Sequence, residues 1–164
     1  MKTSAGILLY RPAAGAHEVL LVHPGGPFWA KKDLGAWSVP KGEYGEGEEA
    51  RACALRELEE ELGAMPALDP EAMLDLGEVT QKGGKVVRAW AAEADFDPAA
   101  LRSNTFELEW PPRSGRRQEF PEVDRAEWFG LGEARRRILE AQAPFLDRLE
   151  RLLDERASGR PRRV

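Results

Sequence analysis

A chain of 164 residues with 42% hydrophobic residues and a net charge of −5 is long enough for one domain with a substantial core, which excludes a disordered tail or a small stapled scaffold. Its single cysteine, Cys53, excludes an intrachain disulfide or a multi-cysteine metal site, and a reducing, cytoplasmic setting is expected. No stretch approaches the roughly 20 apolar residues of a membrane span, and the run Gly6 to Tyr10 is too short for a secretory core, so neither a membrane partner nor export is expected.

In chain order, Ser4 to Tyr10 and Val19 to His23 read as a hairpin-like pair of strands, separated by the Pro/Gly-containing stretch Arg11 to Ala16. Pro24-Gly25-Gly26-Pro27 breaks the second strand, and a loop runs to Gly35 before a short apolar piece, Ala36 to Val39, that ends at Pro40-Lys41-Gly42. From Glu48 to Leu62 strong helix formers dominate, with Ala52, Leu55, Leu58 and Leu62 at three- and four-residue spacing, and Gly63 serves as the C-cap. Leu74 to Gln81 and Lys85 to Glu93 form a hairpin around Gly83-Gly84, and Phe106 to Trp110 adds a strand. Pro111 to Pro121 reads as a loop. Ala126 to Leu131 then leads into helices over Gly132 to Ala141 and Pro144 to Glu155, the last with a core-facing stripe of Phe145, Leu146, Leu149, Leu152 and Leu153.

Strands in both halves, one helix between them and helices at the end imply a mixed β-sheet packed between helices, an α/β sandwich. Residues 1–155 are expected to form the single domain, and the basic segment 156–164 a frayed or disordered tail.

Charge is unevenly distributed. Glu43 to Glu61 holds eight Glu against two Arg, a local −6 that exceeds the whole-chain excess, while Lys31-Lys32, Arg113 with Arg116-Arg117, Arg135 to Arg137 and the C-terminal arginines form basic clusters. An acidic knot in a basic surround suits a cation plus an anionic substrate, although a solvated charged helix has the same composition. On a helix, Glu57, Glu60 and Glu61 fall one turn apart and repel one another unless water or a hard divalent cation with oxygen ligands neutralises them; Mg²⁺ is the first candidate and Mn²⁺ the second. Arg56 is placed to pair with a carboxylate there.

The wider spacing narrows these readings. From Gly42 the chain reads five residues, Glu48, seven residues, Arg56-Glu57-Leu58, one residue, Glu60-Glu61, one residue, Gly63-Ala64. This resembles the Nudix box, with one departure at Ala64, where the family prefers a bulkier aliphatic residue. The box spans 23 residues, and the order of elements is compatible with a Nudix-type α/β/α sandwich over about residues 3 to 155. The resemblance implies a metal-dependent pyrophosphohydrolase acting on a nucleoside diphosphate linked to another moiety. It implies Glu57, Glu60, Glu61 and the Lys41 carbonyl as metal ligands, Glu57 as the base, and Arg56 with Glu48 as an orienting pair. A further ligand would come from a later loop, with Glu119 favoured over Glu122.

Trp37-Ser38-Val39-Pro40-Lys41-Gly42 resembles the diadenosine polyphosphate hydrolase branch, in which Lys41 would face phosphate. Lys31, Lys32, Arg113, Arg116 and Arg117 could supplement it, and Trp29 or Trp110 could stack on a base, with Trp29 preferred. Nothing pairs His17 or His23 with a nucleophile, and Cys53 is read as packing. The leading expectation is therefore hydrolysis of a dinucleoside polyphosphate such as diadenosine tetraphosphate to ATP and AMP. A nucleoside triphosphate or nucleotide-sugar pyrophosphatase, or a catalytically silent nucleotide-binding module, remains the alternative. Nucleic acid is not an expected partner, and monomer and homodimer stay open. Pro24 to Gly35 and Pro111 to Pro121 are the segments expected to choose the leaving group.

Overall fold

Alternation along two strands sets the architecture. In β1 (Thr3–Ala13) and β2 (Ala16–Pro24) of the computed structural model, which describes residues 3–159, Leu8, Tyr10, Val19 and Leu21 face one core while Ala5, Ile7, Leu9, Leu20 and Val22 face another. Both faces of the sheet are therefore buried, which is why these strands are almost continuously apolar. The strands run through the stretch expected to separate them. Pairing continues through Arg11↔Glu18 and Pro12↔His17, leaving Ala14 and Gly15 as the turn.

Thr3 to Tyr10 of β1 pair in parallel with β5 (Val86–Glu93), which in turn pairs with β4 (Leu74–Thr80). The other edge of β1 is divided: Thr3–Gly6 pairs with β3 (Lys41–Tyr44) and Tyr10–Ala13 with β2, whose far edge meets β8 (Val123–Gly130). The result is a six-stranded mixed sheet in the order β4-β5-β1-β2-β8, with β3 beside β1. β3 begins at Lys41, where the sequence reading expected the preceding apolar piece to end; Ile7 N donates to Pro40 O at 3.2 Å and carries the chain past the proline into the ladder.

Helix α1 (Ala50–Leu62) covers one face through Cys53, Ala54, Leu58 and Leu62, so Cys53 is a packing residue and Ala52 is exposed. Gly63 ends it in the left-handed region at φ 87°, with the backbone of Arg102 pressed where a Cβ would stand. Helices α2 (Leu131–Arg137) and α3 (Ala143–Ala157) cover the other face, α3 through Phe145, Leu146, Leu149 and Leu153. α2 is shorter than its pattern suggested because Ile138 turns extended and a 3-10 turn, Glu140–Gln142, intervenes. This is the α/β/α sandwich expected from the order of elements.

A second correction concerns Pro111 to Pro121. Arg117–Pro121 is a strand, β7, paired with β6 (Thr105–Glu109) in a separate two-stranded ribbon. Phe106 and Phe120 face each other across it with ring centroids 6.0 Å apart. Residues 160–164, most of the expected basic tail, lie outside the described residues, and Arg156 and Ala157 close the last turn of α3. Among the described residues no helix is long and apolar enough to cross a membrane.

Candidate active site

The box residues meet where α1 crosses β3. Arg56 is the hub: its Nε and Nη2 donate to the two carboxylate oxygens of Glu48, each at 3.0 Å, while Nη1 reaches Glu57 at 2.9 Å and Glu60 at 3.3 Å. The two-pronged contact with Glu48 is the geometry that a guanidinium makes best, and it fixes the loop before α1 against the helix. These hydrogen bonds, the one to Glu48 first, raise the Arg56 pKa further above its ordinary value.

Glu57 points toward β3, and its carboxylate fills the space a Cβ on Gly42 would need. Glu61, one turn on, accepts a hydrogen bond from the Lys41 N–H at 3.1 Å. Burial, reinforced by the negative charges of Glu57 and Glu122, pushes the Glu61 carboxyl up to about 8 against the opposing pull of Lys41. Burial also raises Glu57, with Glu60 and Glu122 adding repulsion, and lowers Lys41 from the ordinary lysine range.

Beside them lies a cleft of about 200 Å³ lined by Lys41, Glu61, Glu122, Trp29, Val22 and Ser38, among others. It opens where β2 and β3 diverge from their common neighbour β1. Trp29 stands at its lip with the Lys32 ammonium 4.9 Å from its ring centroid. Lys41, Glu61 and Trp29 thus converge on one cavity. The later-loop acid facing the box is Glu122, whereas the Glu119 carboxylate lies on the exposed ribbon, where it accepts from Thr105 Oγ1. Arg113 and Arg116 are exposed near the turn of that ribbon, and Trp110 meets Phe28 edge to face at 5.4 Å.

Two supporting groups escaped the sequence reading. Gln142 is fully buried, accepts from Val39 N at 3.0 Å and donates to Ser38 Oγ and Gln81 Oε1, pinning the segment that leads into Lys41. His23, also fully buried, bridges Asp124 and the Lys32 carbonyl. Their signals were weak: a polar residue after a short helix, and a histidine at a strand end.

Among the described residues, no three His, Cys, Asp or Glu side chains stand close enough together to chelate an ion. Glu57 and Glu60 share Arg56 Nη1, and Glu61 leans on Lys41. The donor set nevertheless fits a hard divalent cation. It offers oxygen ligands alone, and Glu57 and Glu61 are held above their ordinary proton affinity by burial and mutual repulsion that a cation would relieve.

The family model for the NUDIX domain matches residues 1–149. No curated protein sequence matches the chain. Among solved structures, an Ap4A hydrolase of C. elegans in a binary complex is similar at 22% identity, covering 94% of this chain and 98% of its own, with a TM-score of 0.61. The NUDIX domain of Shewanella oneidensis NrtR, complexed with ADP ribose, is similar at 18% identity, with 92% and 87% covered and a TM-score of 0.60. A mutT/nudix family protein from Listeria innocua is similar at 19% identity, with 96% of each chain covered and a TM-score of 0.60. This chain belongs to the Nudix family. It is a pyrophosphohydrolase by class, built on the fold those structures share.

Proposed function

We propose that this protein is a Mg²⁺-dependent hydrolase of dinucleoside polyphosphates, cutting a substrate such as diadenosine tetraphosphate to ATP and AMP. The observation that carries the reading is the shared cleft, in which Lys41, Glu61 and Trp29 line one cavity beside the carboxylates of α1. Glu57, Glu60 and Glu61, with the Lys41 carbonyl and an acid from the later loop, Glu122 or Glu119, would hold the metal. When bound, Mg²⁺ would shield the phosphate charges and lower the pKa of a water.

The residues of the chain supply the rest. Lys41, at the cleft wall, offers a cation to a phosphate, and Trp29 offers an aromatic face to a base. Glu57, held close to Gly42 and raised by burial, is placed to take a proton from an attacking water. Arg56, anchored by Glu48, keeps Glu57 and Glu60 oriented toward the same side of α1. Lys32, Arg113 and Arg116 are the cations available to the outer phosphates of a long chain. The name of the C. elegans neighbour agrees with this substrate class.

The test is Mg²⁺-dependent hydrolysis of diadenosine tetraphosphate beside nucleoside triphosphates, ADP-ribose and a nucleotide sugar, with products separated by chromatography. Preferential cutting of diadenosine tetraphosphate to ATP and AMP supports the reading, and a clear preference for any other substrate replaces it. Intact substrates despite nucleotide binding would leave a silent binding module.

A further inference from the structure

His23 sits behind the cleft wall, between the lining residues Val22 and Pro24. Its ring is fully buried and stacked edge to face on Trp37 at 5.1 Å. Nδ1 lies 2.8 Å from Asp124 Oδ1, on β8 next to the lining residue Val123, and Nε2 lies 2.6 Å from the carbonyl oxygen of Lys32. A carbonyl oxygen only accepts, so the contact with Lys32 places a proton on Nε2. The ring therefore joins three segments, with β2 carrying it, β8 orienting it and the loop over residues 24–35 hanging from it.

Beyond the apolar contacts of Gly26, Phe28 and Trp29 with Phe106, Trp110 and the core, that loop is held by a short set of hydrogen bonds. At its far end Asp33 pairs with Arg137 and accepts from Trp37 Nε1 at 2.8 Å, and Gly35 N donates to Arg136 O at 3.0 Å. At its near end Gly25 N donates to Glu122 O at 2.9 Å. Between these anchors, Lys32 N donates to Trp29 O at 2.9 Å while the Lys32 ammonium lies over the Trp29 ring. Trp29 and Lys32 are thus coupled to each other: Trp29 packs against the core, and the Lys32 carbonyl is held by hydrogen bonding to the buried His23 Nε2.

We infer that His23 is a positioning residue for the substrate-binding lip, which it holds by donating from Nε2 to the Lys32 carbonyl while Asp124 fixes the ring. The inference rests on the reading of the cleft as a nucleotide site. The contacts of His23 are with Asp124, the Lys32 carbonyl and Trp37 rather than with Glu57, Glu60 or Glu61, so its loss acts on binding rather than on chemistry.

Two substitutions separate the two ring nitrogens. The amide of Gln reaches the place of Nε2 and can still donate to the Lys32 carbonyl, whereas the shorter Asn reaches only the place of Nδ1 and keeps Asp124 alone. Both leave a buried amide, so both lower stability, and only one keeps the loop. For His23→Asn the expected result is a KM raised about tenfold with kcat within about threefold of wild type, and for His23→Gln a KM restored to within about threefold. Hydrogen exchange over residues 24–35 is read on the same proteins without substrate. Asn loses protection in this loop and Gln retains it, a result that stands whatever the substrate proves to be. Equal KM and equal exchange in the two variants, or a fall in kcat at unchanged KM, would overturn the assignment. Inactivity of the wild type on every nucleotide, with the exchange pattern as expected, would instead refute the substrate reading alone.

Discussion

The Glu57 carboxylate and the Cα of Gly42 are so close that a methyl group on Gly42 would occupy the same space as the carboxyl carbon. Gly42 thus admits a charged side chain of α1 against the backbone of β3, and the glycine's use is close approach rather than backbone freedom. Gly42→Ala is expected to push aside a flexible side chain, with a stability loss of about 1 kcal/mol or less and a loss of turnover of about 100-fold. Urea unfolding and steady-state rates on one preparation check both halves, and normal turnover would remove Glu57 from the reaction.

Glu60→Gln and Glu61→Gln should each cut turnover by at least about 100-fold, since each would remove an oxygen donor from the proposed metal site. Stability of the metal-free protein should change little, because less repulsion offsets the lost contacts. Isothermal titration with Mn²⁺ provides a direct reading, and unchanged affinity in both variants would contradict their role as ligands.

Metal-free stability should depend on pH through Glu61. Its folded-state value near 8 lies above its ordinary 4.5, so between these limits the folded chain holds a proton that the unfolded chain has released. Stability therefore falls as pH rises through that window and levels off above it. Glu57 is shifted the same way and adds to the slope. Denaturant unfolding in a chelator from about pH 5 to about pH 9 should show this decline in wild type and a shallower one in Glu61→Gln.

Gln142→Leu keeps the volume of the side chain but strands the buried N–H of Val39, which now donates to Gln142 Oε1 at 3.0 Å. A cost of about 1 to 3 kcal/mol is expected, and thermal unfolding measures it. Since Val39 lines the cleft two residues before Lys41, KM should rise as well.

What could be read from the sequence followed from local chemistry. α1 and its Gly63 cap rest on spacing within one short stretch, and the Glu48–Arg56 pairing is implied by the family resemblance that the same stretch carries. β7 was not legible, because its evidence is Phe120 facing Phe106 fourteen residues earlier, within a segment whose composition reads as loop. The same limit hid the His23–Asp124 contact, which spans 101 residues and forms only because β2 pairs with β8. On sequence Glu119 is favoured over Glu122 as the later-loop acid. They lie three residues apart, and only the path of the ribbon turns one toward the cleft and the other toward Thr105.

The β6–β7 ribbon is a sheet of its own, touching the body through side-chain and turn contacts such as Phe106 against Gly26 and the Ser103 hydroxyl donating to Val123 O at 3.0 Å. Its ladder is independent of the one that seats α1. Changes at its turn, around Arg113 and Arg116, therefore leave the strand pairing beneath the carboxylate-bearing helix unbroken, so the outer charges of the ribbon can vary while the ladder under α1 stays fixed.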